Sequence, residues 1–196
     1  MQTHTYCQET LLELFDDIWL NQPKPLRTML SLLIVALLEN NKAHPLVLAE
    51  CLAITGITVI ARIPRIRRFL SNEKLSPAIT VVPLIRLIRP LLSNAREIVL
   101  AMDRIDWDKH HKHVNILSVA ICYKGRAIPV FWIVLDRKGN SSFKHWKRVL
   151  TPVIEGLQQM EWLSGIPIHV VADRGFASRN WRIGSKRPMA WMRHCG

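Results

Sequence analysis

Two short stretches carry the residue types that could do chemistry. Ile98-Val99-Leu100-Ala101-Met102 leads into Asp103 and Arg104, and Ile168-His169-Val170-Val171-Ala172 leads into Asp173 and Arg174. Each apolar run reads as a buried strand with an acid in or beside the core. Such an acid is costly unless it is paired or binds a metal. Two carboxylates brought side by side repel each other unless one is protonated or a cation lies between them. Oxygen-only donors suit Mg²⁺ or Mn²⁺, and such ions activate a water or hydroxyl and stabilise a leaving oxygen in phosphoryl transfer. The competing reading pairs Asp103 with Arg104 and Asp173 with Arg174 as strand-end salt bridges. The residues alone leave both open.

The elements that must position these acids follow from periodicity. Leu11, Leu12, Leu14, Phe15, Ile18 and Trp19 recur at helical spacing with acids between them, so residues 8–20 form an amphipathic helix. Residues 26–41 form a more apolar second helix, stopped at Asn40-Asn41, and residues 46–53 a short third. A turn containing Gly56 leads to a basic segment with Arg62, Arg65, Arg67 and Arg68. Helix, turn and basic helix suggest a helix-turn-helix whose arginines face phosphate. A helical bundle with one basic face fits the same periodicity. Pro64 must start or kink the basic helix. A further helix is expected between Pro83 and Pro90.

From Ile98 the period changes. Strands are expected at Ile98–Trp107, Val114–Tyr123 and Arg126–Leu135, with Lys124-Gly125 turning the chain and Pro129 marking an edge or a bulge. Phe143–Met160 reads as an amphipathic helix capped by Ser141 or Ser142, and Ile166–Asp173 as a fourth strand. The order is β-β-β-α-β. A right-handed crossover would make the fourth strand parallel to the first. If the two are neighbours, Asp103 and Asp173 meet at the carboxyl ends of their strands, where open α/β sheets bind ligands.

Composition narrows the partners. The chain has 196 residues, a formal net charge of +12 and 49% hydrophobic residues. That balance allows a real core and favours a polyanionic partner. Residues 174–196 hold six Lys or Arg and no acid. The four scattered cysteines indicate neither a zinc site nor a disulfide framework. The longest apolar stretch, Met29–Leu38, is too short to span a bilayer, and the basic residues are not confined to one amphipathic helix, so no membrane partner is expected. His110, His111 and His113 sit in a basic turn that is better suited to solvent or phosphate than to one metal ion. Trp132, Trp146 and Trp162 are expected to pack.

The segments LAMDRIDW, VNILSVAICYKGRAIPVFWIVLDRKGNSS and VVADRGF, in this order and spacing, resemble the catalytic core of bacterial DDE transposases of insertion-sequence family four. The resemblance spans about residues 46–178. It implies an α/β fold: a helical, DNA-binding region (residues 1–94), then a partial RNase H-like mixed sheet (95–178). It further implies metal-dependent strand cleavage and transfer on double-stranded DNA at element ends, with two Mg²⁺ or Mn²⁺ ions in the intact family. Asp103 matches the family's first acid and Asp173 the second, both as metal ligands. Arg174, Gly175 and Phe176 match the segment after the second acid, with Arg174 toward DNA. Asp136 with Gly139-Asn140-Ser141 matches a loop of structural role. A homodimer and a bacterial cytoplasmic, nucleoid-associated location go with the family.

The family's third acid is a Glu in a Y-x₂-R-x₃-E-x₆-K signature. No Asp or Glu follows Asp173 here, and Glu155 and Glu161 precede the fourth strand. The expectation is therefore a truncated or frameshifted, inactive copy, with residues 179–196 as an atypical basic tail. The alternative is a non-catalytic DNA-binding fragment that inhibits transposition.

Overall fold

The computed structural model describes residues 2–19, 22–75, 77–109, 112–136 and 141–173. The chain divides into two compact units, residues 1–76 and 77–196. The division falls ahead of the 94/95 boundary expected from sequence. The reason is packing: Val81, Ile85, Ile88 and Leu92 are buried in the same core as the strands, so the helices that carry them belong with the sheet.

The first unit is helical: α1 (Gln2–Ile18), α2 (Lys24–Asn40), α3 (Pro45–Cys51) and α4 (Val59–Leu70). Asn41 ends α2 in the left-handed region, with φ 53°, a conformation Asn tolerates better than most residues. Asn40 Nδ2 then donates to Cys51 Sγ at 2.8 Å, which ties α2 to α3. Thr58 caps α4 by accepting from the Ala61 amide. Leu32, Leu33, Ala36, Leu48, Ala49, Leu52 and Ile66 form the core of α2–α4. Pro64 does not start α4: it lies inside the helix, where the N–H that would have bonded the Ile60 carbonyl is absent. Phe15 of α1 and Trp19 just beyond it are buried and meet edge to face, and Asp16 pairs with Arg27 of α2.

The second unit opens with α5 (Pro77–Leu87) and α6 (Arg89–Leu92). Here α5 runs through Pro83, where sequence placed a helix start. Next come β1 (Ile98–Lys109), β2 (Lys112–Tyr123), β3 (Arg126–Leu135), α7 (Phe143–Gln158) and β4 (Ile168–Ala172). The sheet order is β3-β2-β1-β4. β1 pairs antiparallel with β2 and parallel with β4, and β2 pairs antiparallel with β3. The fold is therefore mixed α/β, with a four-stranded mixed sheet in the expected β-β-β-α-β order.

Lys124 and Gly125, at φ 46° and 74°, form the tight turn between β2 and β3. Pro129 lies on edge strand β3, where the register with β2 shifts beside Val119 and Ala120. A missing donor is tolerated at such a place. Ser142, not Ser141, is the cap residue of α7, and its amide donates to His145 Nδ1 at 3.1 Å. Ser141 instead accepts from Trp146 Nε1 at 2.8 Å inside the core. The buried face of α7 carries Trp146, Val149, Leu150, Val153, Ile154 and Leu157. Gly156 lets α7 approach α5: a Cβ there would lie 3.1 Å from Ile85 Cδ1 and Val81 Cγ1.

Among the described residues no single helix is long and apolar enough to cross a membrane. The α2–α3 pair reaches that length and apolarity only together, across a 102° bend.

Candidate functional site

Strand alternation sorts the β1 side chains onto two faces. Ile98, Leu100 and Met102 are buried in the core. Asp103 comes next and is exposed. The parallel ladder between β1 and β4 ends at Met102↔Ala172, and Asp173, likewise exposed, follows Ala172. The two acids therefore occupy the same position on adjacent parallel strands, one step past a buried residue. Neighbouring strands lie about 4.8 Å apart, so the backbones hold the acids near each other at the carboxyl ends of β1 and β4.

Of the two places expected for the acid of β1, in or beside the core, Asp103 takes the second: it follows buried Met102, and alternation sends it to the open face. One Asp103 oxygen, Oδ1, accepts from the Arg104 amide at 2.7 Å. No ion pair involves Asp103 among the described residues, so the salt bridge to the Arg104 side chain is not formed. In strand register Arg104 faces Leu117, a core residue, on the opposite face from Asp103. Arg174 lies outside the described residues, as do His110, His111, the central part of the 136–142 loop and the tail from 174 onward.

The row through the acid pair continues across the sheet. Asp103 is opposite Ser118, and Ser118 is opposite Trp132. Ser118 Oγ donates to the Asp103 carbonyl at 3.4 Å. Trp132 is 40% exposed, and Ile105 and Trp107 each 54%. Trp132 was expected to pack, as Trp146 does at 4% exposure. Its place on the open face overturns that expectation. The signal was countable: the β1–β2 pairing joins residues whose numbers sum to 221, starting from Lys109↔Lys112. A turn centred half a position earlier, on residue 110, would pair Asp103 with Leu117 in place of Ser118 and reverse the face.

A hydrated divalent cation of the Mg²⁺ type needs only one or two carboxylates, filling its other positions with water or phosphate oxygen. Asp103 and Asp173 fit that demand by donor type, since every side-chain donor they offer is an oxygen. Among the described residues no group of three or more His, Cys, Asp or Glu converges to hold an ion. On the hairpin's other face His113 Nε2 lies 3.5 Å from Asp106 Oδ1, a two-member contact at the far end of β1 and β2.

The basic helix needs a correction at Arg62. Its guanidinium donates to the carbonyls of Ala49 (3.0 Å), Leu52 (2.8 Å) and Ile54 (2.8 Å), and its Nε to that of Ile57 (3.2 Å). Arg62 therefore ties the end of α3 and the turn to α4, with four of its five N–H donors already given to backbone carbonyls. Its place on the wheel explains this. At 100° per residue, Arg62 falls about 40° from Ile66, within the stripe of Val59, Ile63, Ile66 and Phe69. Arg65, Arg67 and Arg68 are exposed. Arg65 and Arg68 share a cleft with Lys74 and Phe69, residues that sequence reasoning did not single out. Arg67 lies on the other flank of the helix and does not line it.

No family model, curated protein or solved structure matches the chain.

Proposed function

We propose that the chain is a DNA-binding protein built on the plan of DDE transposases of insertion-sequence family four. On this reading the sheet unit is a partial RNase H-like core, and Asp103 and Asp173 hold Mg²⁺ or Mn²⁺. Arg65, Arg67, Arg68 and Arg174 meet the phosphates of double-stranded DNA. The observation that carries the reading is the parallel β1–β4 register, which sets the two acids at matching strand ends. A paired acid site at that place, in a chain of net charge +12, suits phosphoryl transfer on a polyanion.

On this reading a third acid is not found among residues 174–196, which hold no Asp or Glu. That observation favours a second reading within the same plan. The protein occupies element ends, alone or as a homodimer with itself or an intact enzyme, and cleaves them poorly or not at all.

The test separates metal binding from cleavage. Mn²⁺ binding, followed by electron paramagnetic resonance, is expected to be weak in the natural chain and lost in Asp103→Asn and in Asp173→Asn. DNA affinity is expected to stay the same or rise, because a negative charge is removed. Any nicking of element-end DNA should fall at least about a hundredfold in either variant. Equal Mn²⁺ binding in the natural chain and in Asp103→Asn would overturn the site assignment. Absence of salt-sensitive DNA binding would overturn the family reading.

A further inference from the structure

The helical unit contains a cleft of about 510 Å³, lined by prolines 23 and 25, by Leu26 and Met29 of α2, by Arg65, Arg68 and Phe69 of α4, and by Asn72 and Lys74 beyond it. The cleft is shallow and opens widely to solvent, so it suits a ligand held on one face only. Its chemistry is two-sided. Arg65, Arg68 and Lys74 contribute three positive charges, and the lining contains no acid. Leu26 is buried, while Met29 and Phe69 are half-buried and lie against the core, so the floor is apolar and partly aromatic.

A phosphate backbone alone needs cations and no apolar floor. An acidic peptide needs no flat aromatic surface. A nucleotide unit needs both: cations for its phosphate and an apolar or aromatic surface for its base. We propose that this cleft binds one nucleotide unit. Its phosphate lies against Arg65, Arg68 and Lys74, and its base lies on Phe69 and Met29. The unit is either a free nucleotide or an unpaired nucleotide within a strand. The inference rests on the reading that Arg65 and Arg68 face phosphate, and it adds a preference for an unstacked base that duplex binding does not require.

The full chain is titrated with a fluorescent single strand of six thymidines and with a blunt duplex, with AMP and poly-glutamate as competitors. Phe69→Leu keeps the apolar volume, and its thermal unfolding is checked against the natural chain. It should weaken the single strand about fivefold or more, since base–aromatic stacking is lost, and leave the duplex within about twofold. Arg65→Ala combined with Arg68→Ala should weaken both probes. It should lower the salt slope for the single strand by no more than about 0.7, the value for the one phosphate the cleft holds. Displacement of the strand by AMP at millimolar concentration assigns the site to free nucleotides, and displacement by longer strands alone assigns it to an unpaired strand; either supports the proposal. Unchanged single-strand affinity in Phe69→Leu, equal losses on both probes, or displacement by poly-glutamate as strong as by nucleotides would overturn it. Those results would leave the duplex-binding reading standing, whereas failure of both probes to bind would overturn both.

Discussion

The helical unit and the sheet unit place charge in opposite ways. In α4 one of four arginines points inward and holds a turn together, while the other three stay at the surface. In the sheet unit both chemistry-bearing acids are exposed, each one step beyond a buried residue. The difference comes from the two backbone periods. A strand alternates strictly, so one buried residue fixes the face of the next. A helix distributes its residues around a wheel, so a cation at the edge of the apolar stripe can turn in if acceptors await it there. The Ala49, Leu52 and Ile54 carbonyls are those acceptors.

The comparison can be sharpened by substitution. The largest effect is expected at the buried face of the sheet. Leu117 is fully buried, and Leu117→Ala should cost about 2–5 kcal/mol in chemical denaturation. Arg62→Ala should follow at about 2–4 kcal/mol, because bonds from a charged donor are worth about 1.5–3 kcal/mol each and do not add fully. Arg62→Lys should recover little of it, since an ammonium cannot reach four carbonyls in that planar array. A loss below about 0.5 kcal/mol would break the contrast between inward and outward arginines. Gly156→Val should cost about 1–3 kcal/mol through overpacking against Ile85 and Val81. At the small end, Arg67→Gln and Val134→Thr should both leave stability within about 0.5 kcal/mol. If the proposed function holds, Arg67→Gln should still weaken DNA binding, measured at two salt concentrations.

Much of the sheet was legible because strand period, the Lys124-Gly125 turn and Pro129 all spoke for the same topology. The acid pair followed from chain order together with one crossover. Four features were less legible, each for a definite reason. Pro83 and Pro64 lie inside helices because tertiary packing offsets one lost N–H bond per proline, and a local rule does not register that gain. Trp132 was misread because alternation assigns residues to faces without saying which face the helices cover. Arg62 lies within the apolar stripe of the wheel, but the carbonyls that turn it inward come from α3 and the following turn, which the helix's own period does not show. The unit boundary was misplaced because α5 and α6 look like the helices before them; only their shared core with β1–β3 and α7 separates them.

The carbonyls gathered by Arg62 have a consequence for how the basic helix meets any partner. The turn between α3 and α4 is held by a cation already present in the chain, before a phosphate arrives. Association then has little loop ordering left to do, and less of the interaction free energy is lost to conformational entropy. A protein arranged in this way should associate in a single fast kinetic phase, at a rate set by electrostatic steering and therefore by ionic strength.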